Sequence, residues 1–443
     1  MYNFLFRRTD IVGLALFRIT FGLLIALESF GAIATGWVHT NLITPDFTFN
    51  FIGFEFLQPL PGNGMYLYFT LMGLCGLAVM LGFKYRLAMS SFTLLWAGVY
   101  FMQKIAYNNH YYLLILLCLF MTIVPANRLL SWDAKQNPAL KRNDMPYWAK
   151  FIFILQVGLV FTYAAIAKIY PDWLNTTVIE HFMKPKENYW LIGSFLQLKW
   201  VHYGIAYLGI AFDLCIVPLF LWKRTRLFAF IASLGFHLFN SVVFQIGIFP
   251  YLSIAFAFFF FSAPTLRKRF KLKKAIRIST KTTIPKHANW AIALFVLYFI
   301  TQLVLPLRHW TFKDNVLWTE EGHRLSWRMM LRGKHGTITY WVTDKATGKR
   351  SRFNHRKLLS KKQAQRFAAH PDMIWQLAQR IKTIEAKQGR DVIINVTSRI
   401  SVNGRKMMPY IDPNADLGSE KWLPFKHHDW LLESPPQLMP KSP

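Results

Sequence analysis

The chain carries, from Trp148 to Lys168, the segment WAKFIFILQVGLVFTYAAIAK. About 20 mostly apolar residues are enough for an α-helix to cross the roughly 30 Å hydrocarbon core of a bilayer. Lys168 ends this segment, and an ionisable side chain at the edge of a span is costly and points to a function. A buried amine loses its proton more easily, so Lys168 could act as a base. From its position alone, it could instead extend to the membrane interface as an ordinary flanking cation.

Other apolar segments of similar length recur along the 443-residue chain, which is 53% hydrophobic and carries a formal charge of +30. This combination excludes an ordinary soluble enzyme and a disordered basic tail. The predicted spans are 11–33, 65–82, 87–103, 110–126, 148–168, 201–222, 226–246, 248–264 and 289–307. We therefore predict a polytopic α-helical membrane protein with about nine spans.

The connecting segments alternate in basic content, and Lys and Arg favour the cytoplasmic side of a membrane. Arg7 and Arg8 predict a cytoplasmic N-terminus, whereas residues 36–63 contain no Lys or Arg and are predicted outside. The strongest cytoplasmic signal is a basic run before the last span: Arg267, Lys268, Arg269, Lys271, Lys273, Lys274, Arg277, Lys281 and Lys286. Such a run can bind nucleic acid, but between two spans it is expected to contact anionic lipid headgroups. No nucleic-acid partner is predicted.

An odd number of spans places the C-terminal part on the outer face. We predict a transmembrane domain with the active-site pocket at 1–308 and an external domain at 309–443. Residues 361–388 have the apolar spacing of an amphipathic helix. The predicted β-hairpins pair 337–342 with 349–353, and 392–401 with 405–411 around Asn403-Gly404. The external domain is thus predicted to be α+β, rich in β-hairpins, and to cover the outer mouth of the bundle.

Several further polar side chains interrupt the predicted spans and need partners inside the bundle. Arg18 and Asp213 have opposite charges, and we expect them to form a structural ion pair. His237 lies on an apolar segment, where a histidine is most simply a hydrogen-bonded core residue.

A more specific signal is the run Asn108, Asn109 and His110, at the outer end of the predicted span 110–126. These three hydrogen-bonding side chains are positioned to meet Lys168 at the outer end of its own span. The sequence has no zinc-binding spacing, phosphate-binding loop or serine-nucleophile motif, so we predict no metal site. The residues alone predict a polar pocket in a membrane protein, with an amine, an imidazole and amides.

Segments distributed along the chain resemble signature regions of vitamin K-dependent gamma-glutamyl carboxylases. In the predicted bundle these are Lys104–Leu114 (KIAYNNHYYLL), Phe161–Trp173 (FTYAAIAKIYPDW) and Phe236–Tyr251 (FHLFNSVVFQIGIFPY). In the external part they are Ser326–Met330, Thr337–Tyr340, His370–Met373, Tyr410–Pro413 and Trp422–Phe425, in the same order as in that family. The resemblance covers nearly the whole chain.

The resemblance implies a carbon-carbon lyase that couples oxygenation of vitamin K hydroquinone, or menaquinol, to carboxylation of glutamate. Its products would be vitamin K epoxide and gamma-carboxyglutamate, its other co-substrates dioxygen and carbon dioxide, and no metal would be needed. Its partners would be a Glu-containing protein or peptide and membrane lipid, from which a prenylated quinone arrives. A dry, membrane-embedded pocket suits this chemistry because a carbanion survives only where water is excluded.

The same resemblance implies roles for individual residues. Lys168 corresponds to the base that deprotonates the hydroquinone, and His110 to the histidine that assists carbanion formation. Asn109 corresponds to an amide that orients the quinone oxygens. A motif that lines the pocket and binds the cofactor contains His237, Asn240 and Ser241.

The chain departs from animal members of the family at Ala167-Lys168, where those enzymes have two adjacent lysines, and we expect it to lack their further luminal sequence. These differences concern substrate handling rather than quinone oxygenation, and they leave two alternatives open. One alternative is a vitamin K hydroquinone epoxidase that carboxylates no protein. The other is a non-catalytic membrane protein that binds quinone or lipid. In each case we expect an integral protein of a bacterial inner membrane.

Overall fold

A computed structural model of the chain describes residues 2–273, 282 and 284–438. Three residues of the predicted basic run, Lys274, Arg277 and Lys281, lie outside the described residues. The longer helices of the N-terminal part are α1 (Val12–Ala34), α2 (Gly64–Leu81), α3 (Tyr85–Met102), α4 (Asn109–Ile123), α5 (Trp148–Ala167), α6 (Lys199–Leu221), α7 (Arg226–Phe244), α8 (Phe249–Ala255), α9 (Ala263–Arg269) and α10 (Ala288–Val304). Shorter helices are Tyr2–Phe6, Trp132–Gln136, Pro171–Leu174, Thr177–Met183 and Gly193–Leu196.

Six of the described helices are long and apolar enough to cross a membrane: α1, α2, α5, α6, α7 and α10, the last with its extension to Thr311. The predicted span 248–264 is not one helix, because α8 with its extension to Phe259 and α9 meet at an angle of 118°. Ser262 caps α9 with its side chain, and Pro264 follows in the first turn, so a new helix begins there. Six spans, or seven with this bent pair, are supported, and the predicted nine are not confirmed.

Close packing between α1 and α2 depends on small residues. A Cβ atom on Gly22 would lie 2.3 Å from the backbone nitrogen of Met80, and one on Gly76 would lie 2.7 Å from that of Ala26. Glycines allow two membrane helices to approach at this distance.

Arg18 occupies a different environment from the one predicted. Its guanidinium is fully buried and donates to the carbonyl oxygens of Val79 (2.8 Å), Met80 (2.7 Å) and Leu130 (2.5 Å). The carbonyls at the C-terminal end of α2 have no partner within their helix and attract a cation. The predicted ion pair between Arg18 and Asp213 is therefore wrong.

Two antiparallel sheets are present among the described residues. The small one joins β1 (Arg8–Asp10) to β2 (Asp144–Pro146). The larger one has the strand order β4-β3-β5-β6, with β3 (Lys334–Asp344), β4 (Arg350–Phe353), β5 (Val392–Val402) and β6 (Met408–Pro409). Both predicted hairpins are confirmed, but the last strand is only two residues long. The long β3–β5 pairing, in which Lys334 lies opposite Val402 and Asp344 opposite Val392, was not predicted.

The helix predicted at 361–388 is broken. It consists of a short helix at Lys361–Arg366, a 3-10 turn at Phe367–Ala369, and α11 (Pro371–Ala386). Pro371 interrupts the helix because it has no backbone N–H and disfavours a helical conformation of the residue before it. Apolar residues of α11 pack against the sheet in the C-terminal core: Met373, Ile374, Leu377, Ala378 and Ile381.

Loops of the helical bundle contribute to the packing of this C-terminal part. Phe49 and Ile105 lie in the same hydrophobic core as the sheet, and the ring of Phe49 stacks on Phe367. Lys104 forms an ion pair with Asp372 at the start of α11, with its Nζ 2.5 Å from the carboxylate. These contacts position the C-terminal part against the loop after α1 and the loop between α3 and α4.

Candidate active site

A mainly apolar cavity of about 340 Å³ lies between α6 and α7, beside the C-terminal end of α5. The polar or charged side chains in its lining are Lys168, Asp213, His110 and Asn240. Its aromatic lining residues are Phe161, Trp173, Phe182, Phe195, Trp200, Phe236, Phe239, Phe244 and Phe249. A small number of converging polar groups in an apolar cavity is typical of a site for an organic ligand.

Lys168 caps the C-terminal end of α5, and its side chain turns into this cavity. Its amine forms an ion pair with the carboxylate of Asp213 on α6, and the two side chains are 12% and 4% exposed. The amine nitrogen also lies 5.5 Å from the ring centroid of Trp173, close enough for a cation–π contact. Lys168 therefore does not extend to the interface as a flanking cation.

His110 reaches the same cavity from the first turn of α4. Its imidazole stacks on the ring of Phe249, with 4.0 Å between the ring centroids and an interplanar angle of 24°. This stacking fixes the plane of the imidazole. Lys168 and His110, distant in sequence, thus line one cavity.

Of the three residues proposed on α7, Asn240 lines the cavity, whereas His237 and Ser241 do not. His237 is buried among aromatic rings, and its Nδ1 has no hydrogen-bond partner among the described residues. The hydroxyl groups of Ser241 and Tyr251 share a hydrogen bond of 2.9 Å. A role of His237 or Ser241 in cofactor binding stays a prediction.

The neighbouring asparagines have structural contacts. The side chain of Asn108 accepts a hydrogen bond from the backbone N–H of Tyr111 and so caps α4. Asn109 accepts a hydrogen bond from the Tyr107 hydroxyl (2.9 Å) and donates one to the carbonyl oxygen of Arg328 (2.9 Å). The cofactor-binding role of Asn109 stays a prediction, and this geometry does not support it.

The turn that follows Lys168 is anchored to the C-terminal part. The hydroxyl of Tyr170 donates to the carbonyl oxygen of Leu331. The carboxylate of Asp172 accepts hydrogen bonds from the guanidinium of Arg405 and, at 2.7 Å, from the side chain of Asn403. The β5–β6 hairpin thereby helps to position the backbone that carries the amine.

A strained loop closes the cavity on this side. Leu325, Trp327 and Met330 all have positive φ angles, of 60°, 58° and 54°. Each such residue costs about 1–3 kcal/mol and persists only where its surroundings hold it. The fully buried Trp327 ring stacks on Tyr112 of α4, with 4.9 Å between the ring centroids, and Met330 lines the cavity.

Comparison with known families agrees with this architecture. Residues 6–264, more than half of the chain, match a family model described as the HTTM domain. Residues 287–437 match one described as the lumenal domain of vitamin K-dependent gamma-carboxylase. The chain belongs to the vitamin K-dependent gamma-carboxylase family. No solved structure matches it.

Membership in this carboxylase family has consequences for the class of function. It supports a carboxylase-like function that depends on vitamin K, and it implies a glutamate-containing substrate and association with a membrane.

Among the described residues, no group of three or more His, Cys, Asp or Glu side chains could hold a metal ion.

Sequence reasoning missed the residues that hold the amine in place. Asp213 was assigned to Arg18 because both are charges inside apolar spans, yet Lys168 offered a second cation for the same carboxylate. The contacts of Tyr170 and Asp172 with the C-terminal part join residues far apart in sequence. The only local signal for these contacts was a polar stretch directly after a span.

Proposed function

We propose that this protein is a gamma-glutamyl carboxylase. It couples the oxygenation of vitamin K hydroquinone, or menaquinol, to its epoxide with the carboxylation of protein glutamate, and it uses dioxygen and carbon dioxide without a metal. The observation that carries the proposal is the Lys168 amine, paired with Asp213 in an apolar cavity that His110 and Asn240 also line. The family match supports the same class of reaction.

The cavity suits a quinone in size and chemistry. Its volume of about 340 Å³ falls within the range of roughly 300–1,000 Å³ for small-molecule sites. Its aromatic and aliphatic lining suits the ring system and prenyl tail, while the polar side chains suit the ring oxygens. Trp200 and Leu208 of α6, both largely exposed at the protein surface, also line it. A lipid-soluble substrate could therefore enter sideways from the membrane.

In the proposed mechanism, Lys168 accepts the proton of a hydroquinone hydroxyl. Moving the proton that it shares with Asp213 onto the carboxylate converts an ion pair into a neutral pair, which an apolar environment tolerates better. The neutral amine then has a lone pair for the incoming proton. The ammonium that results donates a hydrogen bond to the carbonyl oxygen of the protonated Asp213, which holds it on the cavity side of α6.

The other residues position the reactants and keep water out. When bound, the reduced vitamin supplies the oxygen chemistry and the base strength needed to remove a glutamate γ-proton. The fixed imidazole of His110 assists formation of the glutamate carbanion, and the Asn240 amide orients a quinone oxygen. The aromatic lining excludes water, which would otherwise protonate the carbanion.

We further propose the membrane orientation that the basic residues indicate. The N-terminus would lie in the cytoplasm of a bacterium, the inner membrane would contain the domain at 1–308, and the domain at 309–443 would lie on the outer face. The bias of Lys and Arg toward the cytoplasmic side supports this arrangement. It places Lys168 and the strained loop on the outer side, where an exported peptide can reach them.

The test is to incubate the purified protein in lipid nanodiscs with vitamin K hydroquinone, labelled bicarbonate and a Glu-containing peptide. The proposal predicts both the epoxide and labelled peptide, with the label at gamma-carboxyglutamate. Epoxide without labelled peptide would establish the epoxidase alternative. Absence of both products from a folded protein that still binds the quinone would establish the non-catalytic alternative.

A further inference from the structure

A second cavity lies on the opposite side of the turn that ends α5. Its volume is about 670 Å³, and Ala167 and Tyr170 contribute to its wall from the turn that carries Lys168. Among the described residues, none lines both this cavity and the amine cavity. The second cavity is therefore a separate space, which the proposed reaction does not use.

The mouth of the second cavity lies where two candidate spans end. Ile166 and Ile169 contribute to it from the end of α5, and Leu307 and Trp310 contribute from the extension of α10. Ile166, Ile169 and Trp310 are exposed. A tryptophan at the end of a span is typical of the interface between the hydrocarbon and the lipid headgroups. The mouth therefore opens toward the bilayer, near the level of the headgroups.

The lining of this cavity also contains a buried cation, Arg328, which is 9% exposed. Its Nη1 donates to Nε2 of His309 at 3.3 Å, because Nδ1 of that imidazole carries the proton that bonds to the carbonyl oxygen of Pro306. The Nε of Arg328 has no hydrogen-bond partner among the described residues. Burial lowers the pKa of Arg328 to about 10, so the guanidinium remains charged at neutral pH.

No carboxylate that the structure describes lies within ion-pair distance of Arg328, whereas the neighbouring Arg324 and Arg332 each pair with a buried carboxylate. Asp314 also lines the cavity, but its two oxygens accept hydrogen bonds from the backbone N–H and the hydroxyl of Ser434, both of 2.6 Å. A buried charge without a counter-charge is costly. The cavity therefore favours an anionic ligand.

The apolar mouth and the buried cation together favour an anion that carries an acyl chain. A guanidinium binds a phosphate group through two parallel hydrogen bonds. The exposed apolar side chains at the ends of α5 and α10 suit a lipid chain, which already lies at that depth in the bilayer. A free phosphate ion would satisfy the cation and leave the apolar mouth uncovered, whereas one phospholipid molecule satisfies both.

We infer that the second cavity binds an anionic phospholipid of the surrounding leaflet, with its phosphate on Arg328 and an acyl chain along the ends of α5 and α10. The inference does not depend on the proposed carboxylase function. Because Ala167 and Tyr170 form part of the wall, the bound lipid supports the turn that carries Lys168 from the side opposite the amine cavity.

The experiment uses phosphatidylglycerol with a photoreactive diazirine in its acyl chain, mixed into nanodiscs of a neutral lipid that contain the full-length protein. After irradiation, mass spectrometry of peptides quantifies the label in residues 163–171 and 306–317, and the probe fraction that gives half-maximal labelling reports the affinity. Arg328→Gln is expected to raise this fraction at least about 10-fold, because a charge-assisted hydrogen bond is lost. Lys268→Gln, which removes an exposed cation of the basic run, is the matched control and is expected to leave it unchanged.

Two further arms distinguish the kind of ligand. A phosphatidylcholine probe with the same acyl chain is expected to label these segments of the wild type weakly, and excess inorganic phosphate is expected not to displace the phosphatidylglycerol label. Equal labelling by both lipids would overturn the inference, and so would loss of the label to inorganic phosphate, which would assign the site to a free anion.

Unchanged labelling of the two segments in Arg328→Gln would also contradict the inference. If this variant does not fold, Arg328→Lys serves in its place. It keeps the charge but cannot form two parallel hydrogen bonds, so the half-maximal fraction is expected to rise about threefold. A value equal to that of wild type would contradict the inference as well.

Discussion

Two buried Lys–Asp pairs in this protein have the same chemistry and different surroundings. Lys104 and Asp372 connect a bundle loop to α11, and Asp372 also accepts two hydrogen bonds from Arg324, of 2.6 and 3.2 Å. Lys168 and Asp213 pair across α5 and α6 beside an apolar cavity. Among the residues that the structure describes, two cations share the first carboxylate and one cation contacts the second. A buried carboxylate held by two cations has a structural role. A buried Lys–Asp pair beside a ligand-sized cavity can instead exchange protons with a substrate.

The electrostatics of the Lys104 pair fit a structural role. Burial would raise the pKa of Asp372, but Arg324 and Lys104 outweigh it and hold that pKa below its usual range. Burial lowers the pKa of Lys104 to about 8, although Asp372 opposes this shift. The carboxylate therefore stays ionised at neutral pH, and its two cations hold α11 against the bundle.

The largest effect is expected from Lys168→Ala. Removal of a general base typically costs about 10²- to 10⁴-fold in rate, so epoxide formation should fall by at least about 100-fold. The measurement is the initial rate of epoxide formation by purified protein with an unchanged thermal unfolding profile. Lys104→Ala is the matched control: it should lower stability and leave the activity per folded molecule near that of wild type. Similar rates of epoxide formation by Lys168→Ala and Lys104→Ala would show that the two Lys–Asp pairs do not differ in function.

Asp372→Asn tests the structural pair. It leaves Lys104 and Arg324 buried without their carboxylate, and breaking such a pair typically destabilises a protein by about 3–5 kcal/mol. A lower unfolding temperature, measured by tryptophan fluorescence in nanodiscs, is the expected result. An unfolding temperature equal to that of wild type would show that the pair contributes nothing to docking of the C-terminal part.

The dependence of stability on pH tests whether the Asp372 carboxylate stays ionised in the folded protein. Because the folded pKa of Asp372 is depressed, its stabilising contribution is complete above the unfolded pKa of about 3.9 and is lost as the pH falls toward the folded pKa. The stability difference between wild type and Asp372→Asn should therefore be constant from pH 7 to about pH 5 and shrink below about pH 4. Unfolding temperatures measured across this range provide the check. A difference that vanishes already at pH 6 would mean that the carboxylate is not held ionised.

The smallest effect is expected from Ser241→Ala. Its hydroxyl bonds to Tyr251 and does not line the amine cavity, so epoxide formation should change by less than about twofold. Asn240→Ala, one residue earlier on α7, should raise the KM for the hydroquinone about tenfold, since its amide does line the cavity. Steady-state kinetics of the two variants test this contrast. A larger loss in Ser241→Ala than in Asn240→Ala would reverse the assignment of these neighbours.

Much of the fold followed from local sequence. Eight of the nine predicted apolar segments correspond to single helices within a few residues, because length and hydropathy act within each segment. The breaks at Ser262 and Pro371 were missed, although capping and proline signals were present in the sequence. The β3–β5 pairing could not be predicted, since it joins strands separated by a helix and depends on the packing of the whole C-terminal core.

Of the six residues predicted for the site, Lys168, His110 and Asn240 line the cavity, whereas Asn109, His237 and Ser241 do not, and the roles of all six stay predictions. Lys168 and His110 were singled out from their types and positions, and both line the cavity. Asp213 was assigned the wrong partner, because sequence alone does not tell which helices are neighbours.

Chemical rescue of Lys168→Ala tests the central claim most directly. Removal of the side chain leaves space in the cavity beside Asp213 for a small primary amine such as ethylamine. If the Lys168 amine is the base, ethylamine should restore epoxide formation in proportion to its concentration, and the isosteric alcohol ethanol should not. Full activity of the folded variant without any amine, or no recovery at any amine concentration, would contradict the account.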